Sequence, residues 1–436
     1  MSGDIELQQM LAQVANECLI SNSKSQLPEE IFTSLSQTRT DLALVLTQRL
    51  LQARPTVSQT KTILSNVWEN IRSLRGSFER VLEGSEVNYY RSLLKLLFLA
   101  IRIHVDSPPP VENHRASLRM NQSTIIMPTI LEVLKLVVAQ GLREVASSIH
   151  DSAEDSTPED VALLTGILQA ILQIPGIELC YQQIVTVFAS QSTARVATTL
   201  FSWSDSLAIN GDPIYGELSM LFLLELSSIP LMAEQLAIDG VLAQIASANI
   251  TSYLRRGNVS PFADSAGLQR CYSIWVRGIL PFLLNLLDSV QLSIAGEVAI
   301  FLSQFPTLLT QSTRAFESPE TNRLLAKGQT KFITLSTCSE VHSLALLTHI
   351  LSQFRQSNVG NGGIVDIPWD AANVGENVEF WLGSRALLRE RVVAMGEREV
   401  DWSRKKGSDG VLGLLEEKVL AELLGVRDVL GAAGGD

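Results

Sequence analysis

Apolar residues recur along nearly the whole chain at steps of three and four, the period of an α-helix with a buried face. Across Glu86–Val105, the positions Val87, Tyr90, Leu93, Leu94, Leu97, Ala100 and Ile101 keep that step, while Leu96, Phe98, Leu99 and Ile103 widen the stripe past one face. A helix apolar on more than one side has to be packed between neighbours. Pro213–Ser228, Gly278–Ser289 and Val341–Gln353 carry the same wide stripe. No run of β-branched residues alternates long enough to predict a sheet. The pattern therefore predicts an all-α chain whose helices are sandwiched between the ones before and after.

Start and stop signals divide the pattern into roughly seventeen to twenty helices of ordinary length, joined mostly by short loops. Ser156-Thr157-Pro158-Glu159-Asp160 predicts an N-cap, proline at the first helical position and acid in the first turn, where the helix dipole favours negative charge. Asp212-Pro213 and Ser318-Pro319-Glu320 repeat the formula, and Leu27-Pro28-Glu29-Glu30 is a weaker version. Gly84, Gly176, Gly211, Gly240 and Gly257 each closely follow an apolar run, as glycines do at helix C-termini.

Two predicted loops are longer. Asp106–Gln122 contains Pro108-Pro109-Pro110 and reads as an extended surface segment. Asn358–Glu376 holds Gly360, Gly362, Gly363, Pro368 and Gly375 and marks the expected boundary. Residues 1–357 are then an α-solenoid body, 358–376 a Gly/Pro-rich linker, and 377–436 C-terminal helices that pack on or extend the solenoid. The last helix is predicted over Val411–Leu430, before a Gly/Ala tail that should fray.

Pro128, Pro175, Pro230 and Pro281 each introduce an apolar stretch at intervals of 47, 55 and 51 residues. These are somewhat longer than the roughly 40–47 residues of HEAT and armadillo units. An irregular α-solenoid, a HEAT/armadillo-like superhelix, fits this spacing better than a regular one. A compact all-helical bundle is the competing architecture.

Composition narrows the function. Of 436 residues, 46% are hydrophobic and only 18% charged, against about 25% in ordinary globular chains, which excludes a disordered or highly charged rod. The net charge of −12 and a pI near 5.1 supply no basic face for nucleic acid or for an anionic membrane surface. The mean hydropathy of +0.19 raises the question of a membrane span. The apolar runs Leu93–Ile103, Ile125–Ala139 and Gly278–Val290 are interrupted by charges and fall short of the roughly 18–20 residues a spanning helix needs, so no direct span is expected. The N-terminus has no basic and apolar regions of a secretory signal. Cys18, Cys180, Cys271 and Cys338 lie far apart in apolar stretches, predicting buried reduced thiols rather than a zinc site or redox pair. Without a signal, the sequons at Asn121, Asn249 and Asn258 carry no weight.

Little in the chain points to catalysis. His342 and His349 share a helix face but stand two turns, about 10–11 Å, apart, too far to hold one metal. His104, His114 and His150 flank loops or helix ends. The glycines of 358–363 neither follow a strand nor open a helix, and the acids of 151–160 lack the glycine and terminal glutamate of a calcium loop. No metalloprotease, nucleophile-elbow or phosphate-loop motif occurs. Catalytic residues, metal and cofactors are therefore none, and the expectation is a non-enzyme. What remains is apolar surface. Trp369, Phe380, Trp381 and Trp402 cluster around the C-terminal linker, either as partner-binding residues or as staples holding the last helices to the body.

Two stretches, Ser85–Phe98 and Leu286–Pro306, resemble the C-terminal part of the very large inner-ring scaffold nucleoporins of the nuclear pore complex, most of all the smaller of that family's two branches. Known members are several times longer, which would make this chain the tail of such a protein. The resemblance implies a superhelical stack of HEAT- and armadillo-like repeats, a place in the nucleus at the nuclear envelope, and a non-enzymatic role in the inner ring. It further implies that a helical segment of an adaptor nucleoporin docks in a groove between solenoid helices. The alternative is a transport-receptor-like module that binds FG repeats, or transport receptors, through apolar pockets. No family motif residue maps onto a partner contact here. From another class, a helical enzyme with a dispersed site would show turnover that one polar substitution abolishes.

Overall fold

The computed structural model describes residues 2–22, 29–52, 57–77, 86–106, 126–151, 157–317, 332–357, 363–408 and 412–433. Among these residues lie twenty helices and no strand, with three isolated bridges between loops. The fold is all-α, as the periodicity predicts. The triple-proline segment, the Ser318-Pro319-Glu320 start, His114 and Gly84 fall outside the described residues. The chain divides into two compact units, Met1–Ala197 and Thr198–Asp436.

The first unit holds α1 (Ser2–Asn22), α2 (Glu29–Gln52), α3 (Val57–Ser77), α4 (Val87–Asp106), α5 (126–151), α6 (Pro158–Leu172) and α7 (Tyr181–Ser190). Helix α4 shows why its stripe is wide: it packs on α2, α3 and α6 at once. Tyr90, Leu93, Leu94, Leu96, Leu97, Ala100, Ile101 and Ile103 are all buried. The start of α6 forms as predicted, with Pro158 in its first turn and Thr157 at the N-cap. Asp160 accepts from the Thr157 backbone N–H (3.0 Å) and hydroxyl (3.2 Å), and also takes both arms of Arg91 from α4 at 2.7 Å each. One carboxylate thus caps α6 and ties it to α4.

The second unit holds α9 (Ile214–Ser227), α10 (Pro230–Ile238), α11 (Val241–Ser247), α12 (Asn249–Arg256), α13 (Ala266–Val290), α14 (Leu292–Ser303), α15 (Pro306–Ala315) and α16 (Leu335–Ser357). It closes with α17 (Ala371–Gly383), α18 (Arg385–Arg391), α19 (Gly396–Arg404) and α20 (Leu414–Ala433), while α8 (Thr193–Trp203) contains the division between the units. Besides adjacent pairs such as α13 with α14 and α19 with α20, many of its helices pack on others three or four places away: α9 and α10 with α13, α11 with α14, α12 with α15, α13 with α16, α16 and α17 with α20. Such near-neighbour stacking is the local order of an irregular α-solenoid.

Several boundaries differ from the sequence pattern. Pro281 marks no helix start, because α13 runs through it. A proline has no N–H for the preceding turn, and the helix passes it by widening into a π turn over Ile274–Ile279. The resulting helix has 25 residues and is long and apolar enough, by length and composition, to cross a membrane, contrary to the shorter runs read from sequence. Its Ile274, Trp275, Val276, Ile279, Leu280, Phe282 and Leu283 are buried against protein. Asp212 does not cap α9; Pro213 occupies that position. The Asp212 carboxylate instead accepts Arg270 Nε and Nη2 at 2.9 Å each, and Arg270 also donates to Glu217. Asn210 and Gly211 have positive φ and reverse the chain before Asp212. Gly176, Gly240 and Gly257 have the left-handed conformation expected of C-terminal glycines.

The linker's described part, 363–370, is irregular, but α17 already begins at Ala371, so Gly375 and Glu376 are helical. The Asp370 side chain caps that helix by accepting the Asn373 N–H. Helices α17–α20 belong to the same compact unit as α9–α16. The final helix is shifted to Leu414–Ala433. Cys271 and Cys338 are buried as expected, whereas Cys18 and Cys180 are only half-buried.

Arg75 and Glu144 form a nearly buried pair joining α3 to α5, with Nη1–Oε1 at 2.8 Å and Nη2–Oε2 at 3.2 Å, and Arg75 Nε donates to the Tyr90 hydroxyl of α4. Glu144→Ala strands the guanidinium and should lower stability by about 3–5 kcal/mol, while an Arg75→Met, Glu144→Met double variant should lose less. Urea unfolding of the two variants checks this; a single variant no worse than the double contradicts it.

Candidate partner-binding site

The four aromatic residues singled out in the sequence part company in the structure. Trp369 and Trp381 are buried, and each indole N–H is used inside the fold. Trp369 Nε1 donates to Ser312 Oγ of α15 (3.1 Å), and Trp381 Nε1 donates to the Phe316 carbonyl just beyond α15 (2.7 Å). They hold the linker and α17 onto α15. A buried tryptophan with a satisfied N–H offers a partner neither area nor donor, so the stapling role describes these two. Phe380 is half-buried, edge-on to Trp381 with ring centroids 5.3 Å apart. Trp402 is half-buried between Arg398 and Lys418, whose charged groups each sit 4.7 Å from its ring.

A second feature lies deeper in the unit. Between the loop after α12, α13, α15 and the start of α16 there is an open pocket of about 480 Å³. Val259, Leu308 and Ala315 give it apolar walls, and Phe262 and Phe332 stand at it 45% and 44% exposed with centroids 6.1 Å apart. Local structure places each wall. Gly257, left-handed at the end of α12, turns the chain into the loop carrying Val259 and Phe262. Its carbonyl accepts from Gln311 of α15, which also lines the pocket. The strand-like pairing of Ile333 with Arg391 and Val393 fixes the residue next to Phe332.

The pocket's polar lining comprises Ser260, Gln311, Thr337, Tyr272 of α13 and Glu340 of α16, and the last two are joined by a hydrogen bond. Glu340 is 3% exposed. Its Oε2 accepts the Tyr272 hydroxyl (2.7 Å) and its Oε1 accepts Trp275 Nε1–H (2.9 Å). Burial pushes its carboxyl up to about 7, against the opposing pull of those two donors. Burial and the nearby Glu340 carboxylate also drive the Tyr272 hydroxyl well above its ordinary value. Among the described residues no cation pairs with Glu340.

Glu340 escaped the sequence reading, yet it left a signal. It stands three residues after Thr337 and four before Leu344 in α16, an acid on the buried stripe. Its donors lie 68 and 65 residues away, a pairing no local pattern reveals. The two histidines of α16 are apart as predicted: His342 Nδ1 meets Glu422 Oε2 of α20 at 2.7 Å, and His349 meets Gln353.

Comparison with known proteins gives this unit and its neighbour a context. Residues 63–430 match the family model described as nuclear pore protein NUP188 C-terminal domain. The chain is 40% identical over 459 aligned residues to Nucleoporin NUP188 of Chaetomium thermophilum, covering 96% of this chain and 24% of that protein. It is 25% identical over 335 residues to Nucleoporin nup184 of Schizosaccharomyces pombe, covering 74% of this chain and 19% of that one. The chain thus spans about a quarter or less of the length of these relatives. A solved structure, Nup188(aa1445-1827) from Myceliophthora thermophila, is similar with a TM-score of 0.71 and 42% identity, over 84% of this chain and 98% of that one.

The buried carboxyl sets a pH test. With its folded value raised from 4.5 to about 7, Glu340 holds a proton that the unfolded chain has already lost between those two pH values. Stability from this group therefore falls as pH rises through that window, by about 3 kcal/mol at 1.36 kcal/mol per pH unit. Tyr272 and the buried Cys338 thiol are both raised above their ordinary values and stay neutral across it. Glu340→Gln cannot titrate, so its stability relative to wild type should improve by about 3 kcal/mol from pH 4.5 to 8. A difference that stays flat with pH, by urea unfolding, contradicts this placement of the carboxyl.

Proposed function

The chain belongs to the nuclear pore protein NUP188 C-terminal domain family, and on that premise we propose that it is a non-enzymatic structural scaffold of the nuclear pore complex inner ring. In this reading it docks a helical segment of an adaptor nucleoporin in a groove between its helices. The observation that supports docking is the open apolar pocket among α12, α13, α15 and α16, with Phe262 and Phe332 exposed beside it. An amphipathic helix laid across stacked helices inserts one or two anchoring side chains into such a pocket. The half-exposed Phe380 and Trp402 form a second contact surface for the same partner, and Trp369 and Trp381 serve it by holding α17 in place.

A second reading is favoured by the aromatic character of the pocket. Two exposed phenylalanines flanking an apolar hole also suit the phenylalanine side chains of FG repeats, held weakly and at several places.

Phe332→Asp changes only a half-exposed side chain, so the thermal midpoint should hold while affinity for purified adaptor nucleoporin falls by at least about tenfold. Titration calorimetry with wild type should give one stoichiometric site. Unchanged binding by the variant overturns the pocket as the groove, and weak multivalent retention on FG repeats without adaptor binding favours the second reading.

A further inference from the structure

We propose that the pocket between α13 and α16 is a lysine-accepting site: the ammonium group of a partner chain's lysine enters past Phe262 and Phe332 and pairs with the Glu340 carboxylate on its floor. The docking role proposed for this pocket underlies the assignment, which adds the chemistry of the anchoring side chain.

Three observations carry it. First, Glu340 is a carboxylate on the buried stripe of α16 that reaches the pocket, and among the described residues no cation neutralises it. Buried carboxylates that stay ionised ordinarily have a cationic partner, and Glu340 lines a pocket that opens at the surface. Second, the side walls are aromatic and aliphatic. Phe262, Phe332 and Tyr272 present rings that attract a cation, while Val259 and Leu308 suit the four methylenes of a lysine stem. Third, the carboxylate is already partly engaged. Oε2 accepts Tyr272 and Oε1 accepts Trp275, which leaves each oxygen one further acceptor site. A point donor such as an ammonium on a slim aliphatic stem needs only one of these sites. Charge complementarity extends outward, because the chain as a whole carries −12 and draws basic segments toward it.

Glu340 works here as a binding group. Burial alone favours its neutral form; an arriving ammonium favours the ionised form, and the proton leaves to solvent. No bond is made or broken beyond that ionisation.

The test uses the full chain with 15N-labelled tryptophan, following the Trp275 indole N–H, which donates to Glu340 and is assigned with Trp275→Phe among the six tryptophans. The probes are n-hexylammonium, the equally long n-hexanol, and N-acetyl-phenylalanine amide, all at pH 8. The Trp275 signal should move saturably with n-hexylammonium at a concentration at least about tenfold lower than with n-hexanol, the margin of a charge-assisted contact. Glu340→Gln should bring that ratio to about one, and Phe332→Ala should weaken n-hexylammonium binding while the indole spectrum stays dispersed. The ratio on wild type stands even where Glu340→Gln fails to fold. Equal or tighter binding of n-hexanol or the phenylalanine amide overturns the proposal in favour of an apolar anchor. A Trp275 signal that does not move with n-hexylammonium, or a shift unchanged in Glu340→Gln, also overturns it. Loss of the ammonium preference with adaptor binding intact removes the lysine assignment alone, whereas loss of adaptor binding with the preference intact removes the adaptor.

Discussion

A helix that is apolar around most of its circumference has to be covered from more than one direction, and nearly everything in this chain follows from that requirement. With its backbone hydrogen bonds closed internally, each helix has only side-chain surface left to bury. Helix α4 does so between α2, α3 and α6, and α13 between α9, α10, α14 and α16. Partners one to four places away in chain order supply the cover. This is why a chain with so few charged residues forms stacked layers. It is also why two ion pairs of the first unit, Arg75 with Glu144 and Arg91 with Asp160, sit where they tie together helices two places apart.

The same requirement separates what the sequence makes legible from what it hides. Helix content, the wide stripes and the glycine ends are local properties, and Gly176, Gly240 and Gly257 take the predicted left-handed conformation. The Thr157–Asp160 cap is local too, and it forms where its letters stand. Asp212-Pro213 has the same letters, but its carboxylate is claimed by Arg270 from 58 residues away, so the cap is lost to an ion pair. Pro281 reads as a start, yet a π turn carries α13 through it because the buried neighbours on both sides favour an unbroken helix.

The candidate site was the least legible part. Tryptophan types alone could not tell a docking surface from a staple. The distinction rests on where each indole N–H goes, and Ser312 and the Phe316 carbonyl receive two of them. The pocket was invisible because its walls come from four separated segments, none conspicuous alone. Only Glu340, an acid within an apolar stripe, could have been noticed, and only as an anomaly. Its carboxyl joins α16 to α13 through Tyr272 and Trp275, and it gives an otherwise apolar hole a chemical preference.

Family membership places the chain among nucleoporins, and the docking proposed for it rests on the pocket within the second unit. The claim that ties the two together is that a partner segment binds at the pocket formed by the α12–α13 loop, α13, α15 and the start of α16. Hydrogen–deuterium exchange of the chain, alone and saturated with purified adaptor nucleoporin, tests it most directly. Protection gained at 259–262 and 332–340 is the predicted result; protection confined to residues 2–197, with those two segments unchanged, would contradict it.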